Sequence, residues 1–201
     1  MPDSNPLILA SKSAIRAELL RNAGLTIQVE GADVDERAVE APLLEADFSP
    51  MDIAQVLAEA KALDVSARMP GQLVAGADQM LSFDGDRLTK ADNMEMARRQ
   101  LLRLSGGTHE LHSAVVLARD EAVLWRHVET VRLTMRQLTP EFVGRYLAQV
   151  GDAALDSVGC YQLEGRGIQL FEQIDGDYFA VLGLPLLPLL AQLRLLRHLD
   201  Q

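Results

Sequence analysis

A short apolar run that breaks on a polar turn and hands over to a helix is the feature that most restricts this chain. Residues 7–10 are continuously apolar and end at Ser11. From Ala14 onward Ile15, Leu19, Leu20 and Ala23 recur at helical spacing until Gly24 stops them. The opening unit is therefore strand, polar turn, helix, the start of an α/β arrangement. Residues 73–77 repeat the theme as an apolar strand that ends at Asp78, where open α/β sheets commonly carry their working side chains.

The rest of the chain reads as alternating elements. Residues 25–29 alternate like a second strand, Asp33-Val34-Asp35-Glu36 follows as an acidic loop, and residues 31–50 have no regular period. Ser49 caps a helix with Pro50 in its first position. Ile53, Leu57 and Ala60 form that helix's stripe toward Val65, with Lys61 beside it. Asp84-Gly85 marks a hairpin turn before Leu88. Asp92 or Asn93 caps a helix bearing Met94, Ala97, Leu101 and Leu104 on one face, ended by Gly106-Gly107. Residues 115–117, 123–125 and 131–135 predict a run of antiparallel strands around Arg119-Asp120-Glu121. Thr139-Pro140 opens a helix that Gly151 stops, and residues 186–198 read as a terminal helix. Between them Gly159, Gly165, Gly167, Gly176 and Gly183 suggest turns or close backbone approach. With no repeat and no low-complexity linker, residues 1–201 read as one domain with two lobes.

Composition narrows the setting. A chain of 201 residues, 48% hydrophobic, can bury one substantial core. Its one cysteine, Cys160, cannot form an intramolecular disulfide, which suits a reduced, cytoplasmic compartment. Residues 1–6 are short and polar, so no secretory signal is expected. The longest apolar stretch, residues 179–191, contains Gly183, Pro185 and Pro188 and falls short of the roughly 20 residues that cross a bilayer, so no membrane association is expected. A formal charge of −10 disfavours polynucleotide binding, which needs Lys and Arg to displace condensed counterions. A small phosphate ligand stays open, since local donors decide its fate.

Two constellations could carry chemistry. Ser11-Lys12-Ser13-Ala14-Ile15-Arg16 lies between a strand end and a helix start, where unpaired N–H groups and the helix dipole favour an anion. Two hydroxyls and two cations could cradle phosphates there. A plain N-cap by Ser13 with solvated charges fits the same residues, and the glycine spacing of a P-loop is missing. Asp78 could hold a divalent ion or orient a water, or merely cap a turn at the sheet edge; Glu36 and Lys90 share that ambiguity. Four scattered histidines and one cysteine offer no zinc spacing, and His109 and His112, three apart in a strand, would point to opposite faces. Tyr161-Gln162-Leu163-Glu164-Gly165 reads as an ordinary turn.

Taken in order, Leu9-Ala10-Ser11-Lys12-Ser13-Ala14-Ile15-Arg16-Ala17-Glu18-Leu19-Leu20, Val34-Asp35-Glu36-Arg37 and Ala60-Lys61-Ala62 resemble the opening motifs of the Maf family. Gly76-Ala77-Asp78-Gln79, Lys90, Leu104-Ser105-Gly106-Gly107-Thr108-His109, Gly165-Arg166-Gly167 and Val181-Leu182-Gly183-Leu184-Pro185 continue the likeness nearly to the C-terminus. The resemblance implies a two-lobed α/β fold with a mixed sheet, related to inosine triphosphatases, with the active cleft between its lobes. It implies a homodimeric nucleoside triphosphate pyrophosphatase that depends on a divalent cation, Mg²⁺ or Mn²⁺. By resemblance Asp78 is the proton acceptor, and Ser11, Ser13, Arg16, Glu36, Lys61 and Lys90 line the phosphate and metal site, with Glu36 and Asp78 toward the metal.

Three positions of this family are associated with base choice. The branch acting on dTTP and UTP carries Arg, Thr and Gln at the places of Ile15, Gln79 and Glu164. The branch acting on 7-methyl-GTP carries a bulky nonpolar residue, Gln and Glu, and this sequence resembles that second branch. A carboxylate at Glu164 offers acceptors to the N1–H and amino donors of guanine and favours a cationic methylated ring. A second class of function, a nucleotide-binding regulator of septum formation without turnover, is also associated with the family.

Overall fold

The computed structural model describes residues 5–200, so residues 1–4 of the polar opening lie outside the described range. Seven strands among the described residues form a mixed sheet, and the chain divides into two compact units.

The first unit comprises residues 5–79, 113–129 and 183–200. Strand β1 (Leu7–Ala10) is buried at every position. It pairs in parallel with β2 (Ile27–Val29), Leu7 opposite Ile27, and on its other side with the start of β3 (Val74–Phe83), Ala10 opposite Gly76. Parallel neighbours need crossover connections, which the helices α1 (Ala14–Asn22), α2 (Glu36–Glu45) and α3 (Pro50–Arg68) provide. Ser49 caps α3 by accepting the Asp52 N–H at 3.2 Å, with Pro50 at its first turn. Ile53, Ala54, Leu57, Ala58, Ala62 and Val65 bury its inner face.

Strands β5 (Thr108–Arg119) and β6 (Ala122–Met135) meet at a two-residue turn, Asp120-Glu121, where both residues take positive φ, 50° and 60°. Such a turn joins antiparallel partners. Their turn-proximal halves belong to the first unit.

The second unit comprises residues 80–112 and 130–182. There the end of β3 forms the expected hairpin with β4 (Asp86–Leu88) through Asp84 and Gly85, both at positive φ. Helix α4 (Met94–Leu104) begins at Asn93, whose side chain accepts the Met96 N–H. Helix α5 (Pro140–Val150) begins at Thr139 and stops at Gly151, φ +59°. Strand β7 (Phe171–Asp175) runs antiparallel to the end of β6, and a single-turn helix α6 (Tyr178–Val181) follows. The terminal helix α7 (Leu186–Leu195) returns to the first unit.

Four expectations need correction. Residues 31–50 are not irregular: Asp35 caps α2, and Glu36 is its first residue rather than part of a loop. The helix hid because Pro42 sits inside it and its one buried residue, Glu40, is charged, so it presents no apolar stripe. Strand β3 does not end at Asp78 but runs five residues further, to Phe83. Asp78 and Gln79 break the apolar pattern without ending the strand, because each finds a polar partner from its place in the ladder. Residues 123–125 and 131–135 are one strand, β6, rather than two. The last helix stops at Leu195, three residues early.

Candidate active site

Strand β1 ends at Ala10, and the turn that follows is tied down by its own hydroxyl. Ser11 Oγ accepts the Ser13 N–H at 3.3 Å and Nη1 of Arg16 at 3.1 Å. Ser13 occupies the N-cap position of α1, yet its side chain makes no capping bond. The plain-cap alternative for this segment is therefore not what the fold adopts.

Arg16, one turn into α1, is fastened at three points. Its Nε donates to the Gly183 carbonyl at 2.7 Å, and Nη1 reaches both Ser11 Oγ and the Ala77 carbonyl at 3.1 Å. Burial lowers its pKa from the ordinary arginine value, opposed by the nearby carboxylates of Asp78 and Glu36. Gly183 takes φ +91°, and a Cβ there would stand 3.1 Å from Arg16 Nε. Glycine is thus favoured at 183 both by the backbone and by the guanidinium.

The acidic end of the site depends on a second glycine. A Cβ on Gly76 would lie 2.2 Å from the Ala58 carbonyl and 2.6 Å from the Ala62 nitrogen, so α3 rests directly on the β3 backbone at this point. Gly76 and Asp78 share one face of β3, since alternate residues point the same way. The close contact therefore sets Lys61 of α3 against Asp78, Nζ to Oδ1 at 2.6 Å. The same ammonium lies 2.7 Å from Oε1 of Glu36, at the start of α2.

Asp78 is buried, 8% exposed, while the Glu36 side chain is half open. Burial raises the Asp78 pKa above the usual carboxylate value, resisted by the positive charges of Lys61 and Arg16 and reinforced by Glu36. A buried carboxylate with a raised pKa is a better proton acceptor than a free aspartate.

Two carboxylates converging on one cation also form a donor set suited to a hard metal. Mg²⁺ commonly takes one or two carboxylates and completes its shell with waters and substrate phosphates. Among the described residues no group of three or more His, Cys, Asp or Glu side chains could hold an ion alone. The pair Glu36 and Asp78 could supply two carboxylates to such an ion and would leave the rest of its shell to waters and phosphate.

The first unit thus brings together Ser11, Arg16, Glu36, Lys61 and Asp78. Ile15 is half-buried on α1, and Gln79 donates from Nε2 to Ser113 Oγ at 2.8 Å. The remaining two candidates belong to the second unit: Lys90 is exposed between β4 and α4, and Glu164 is exposed in a turn that Gln162 closes by accepting the Gly165 and Gly167 N–H groups at 3.1 Å. Sequence reasoning overlooked the anchoring carbonyls of Ala77 and Gly183, which carry no side-chain signature. His109 and His112 point to opposite faces of β5 as expected, one bonded to Tyr161 Oη and the other to Ser82 and Thr130.

A family model described as Maf-like protein matches residues 6–196. A protein of Brucella abortus biovar 1 (strain 9-941) named 7-methyl-GTP pyrophosphatase is 59% identical over 194 residues, 96% of this chain and 98% of its own. One of Caulobacter vibrioides (strain ATCC 19089 / CIP 103742 / CB 15) named nucleoside triphosphate pyrophosphatase is 50% identical over 190 residues, 94% and 95% of the two chains. Among solved structures, a HAM1 protein from Coxiella burnetii gives a TM-score of 0.40 at 17% identity, over 65% of this chain and 72% of its own.

Proposed function

The chain belongs to the Maf-like family, and on that premise we propose that it hydrolyses a nucleoside triphosphate to the monophosphate and pyrophosphate, with 7-methyl-GTP as its preferred substrate. The observation that carries the reading is the buried Asp78 carboxylate beside Lys61, next to a strand-to-helix turn rich in donors.

The triphosphate is gripped by the hydroxyls of Ser11 and Ser13, the free amides of the first turn of α1 and the ammonium group of Lys61. Asp78 holds its Lys61 contact through Oδ1, and its other oxygen accepts a proton from the attacking water as the anhydride bond between α- and β-phosphate breaks. Pyrophosphate departs with the bonding electrons of that bridge. Glu36 and Asp78 would hold the divalent cation, Mg²⁺ or Mn²⁺, which would neutralise phosphate charge and polarise the scissile group. Preorganised cations and amides supply most of the rate, because they face the charge that develops on oxygen.

Ile15, Gln79 and Glu164 set base choice. A nonpolar residue at 15 withdraws a cation from the base, and the Glu164 carboxylate suits guanine donors and the positive charge of a methylated ring. The name 7-methyl-GTP pyrophosphatase, carried by relatives at 59% and 60% identity, supports the same assignment. A reduced, cytoplasmic setting is the one we expect for a chain whose one cysteine, Cys160, has no partner for an intramolecular disulfide. No helix among the described residues is long and apolar enough to cross a membrane. A homodimer is the assembly we expect, to be checked by light scattering.

A panel of dTTP, UTP, GTP and 7-methyl-GTP, assayed for pyrophosphate with Mg²⁺, Mn²⁺ or a chelator, tests the proposal. The expected outcome is metal-dependent release that is fastest with 7-methyl-GTP, and Glu164→Gln should move the preference toward the other bases. Faster turnover of dTTP or UTP would refute the base assignment, and nucleotide binding without pyrophosphate release would favour a regulator.

A further inference from the structure

We propose that Arg16 is a positioning residue, an anchor that makes Ser11 a pure hydrogen-bond donor and fixes the backbone ahead of Asp78, rather than a group that grips the nucleotide itself.

The guanidinium joins three separate segments. Ser11 follows β1, Ala77 lies in β3, and Gly183 precedes α7, and all three supply acceptors at 2.7–3.1 Å to Nε and Nη1. Ala77 contributes its carbonyl to the peptide bond whose other end is Asp78. Holding that peptide holds the direction in which the Asp78 side chain leaves β3.

The effect on Ser11 follows from the capacity of a hydroxyl, which has one donor hydrogen and two acceptor lone pairs. Ser11 Oγ already accepts from the Ser13 N–H and from Arg16 Nη1. Its own hydrogen is then the one function left, and it can serve only an acceptor. Among charged ligands that is a phosphate or carboxylate oxygen and never a cation.

Gly183 belongs to the same device. At φ +91°, with the position of a Cβ 3.1 Å from Nε and 3.2 Å from Nη2, a side chain at 183 would strain the backbone and push the guanidinium by a few tenths of an ångström. The one arginine bond to this segment ends on the Gly183 carbonyl, so Gly183→Ala disturbs the anchor without removing any group able to touch a nucleotide.

The inference rests on the pyrophosphatase reading for its kinetic test alone. Arg16→Lys keeps the charge but cannot span three acceptors. We expect it to lower kcat about 10- to 100-fold, the size of loss that a misplacement near 1 Å produces, while KM for the best nucleotide of the panel changes less than about threefold. Gly183→Ala should give the same split with Arg16 intact. A KM raised about tenfold or more by Arg16→Lys with kcat unchanged would put the guanidinium on the phosphates and overturn the proposal, as would normal kinetics in Gly183→Ala. Thermal melting without nucleotide gives a readout free of turnover: both variants should melt below the wild type. An unchanged melting temperature for Arg16→Lys overturns the anchor even in a chain inert to every triphosphate, whereas that inertness by itself would sink only the functional reading. Should one variant fail to fold, the other decides.

Discussion

At Asp78 the chemistry proposed for the site and the stability of the fold pull in opposite directions. Its pKa is raised in the folded chain, chiefly by burial, above the ordinary value of 3.8. Above that value the native state binds more protons than the unfolded one, so the stability this carboxyl contributes is present at low pH and lost as pH rises through its native pKa. At neutral pH the ionised group therefore costs stability. Asp78→Asn removes that charge and keeps an oxygen for Lys61. The variant is expected to melt no lower than the wild type without nucleotide, to retain nucleotide binding by calorimetry, and to lose about 10²–10⁴-fold in turnover. A large drop in melting temperature would mean that Asp78 is chiefly structural.

At the scale of elements, the site depends on how closely α3 approaches β3. Gly76→Ala places a methyl against the backbone of α3, at 2.2 Å from the Ala58 carbonyl, where no rotamer change can relieve it. The helix must move outward and carry Lys61 away from Asp78. Overpacking of this kind costs about 1–3 kcal/mol, which a urea titration would read as a lower midpoint, with turnover falling in parallel. Undiminished activity would show that the Lys61 contact is dispensable. This glycine illustrates which parts of the site the sequence discloses. Caps and breakers were legible, as at Ser49, Asn93, Thr139 and Gly151, because each acts on its own neighbours in the chain. So were Ser11 and Asp78, since both stand where an apolar run gives way to polar residues. The end of β3 and the unity of β6 were not legible, because cross-strand and helix partners hold those polar positions in the ladder. The reach of Arg16 to Gly183 spans 167 residues, and neither propensity nor periodicity carries information over that distance.

For the molecule as a whole, the response to acid is set by groups of opposite sense. His109 is fully buried, bonded to Tyr161 Oη at 2.7 Å, and burial depresses its pKa from 6.5 to about 4. Its contribution to stability is present above 6.5 and is lost as pH falls from there toward 4, because the unfolded chain takes up a proton that the native one refuses. The melting temperature should fall across that window, and His109→Gln, still able to reach the tyrosine hydroxyl, should flatten the decline. An identical slope in the variant would exclude His109 as the cause. Stability and chemistry are also unequally shared among the helices. Helix α2 carries Glu36 in its first turn, yet it contains a proline and buries a single residue. The carboxylate that meets Asp78 across Lys61 is thus carried by a helix that adds little to the buried core. On the metal role proposed for Glu36, substitutions along α2 would retune how an ion is held while the buried scaffold of the unit stays intact.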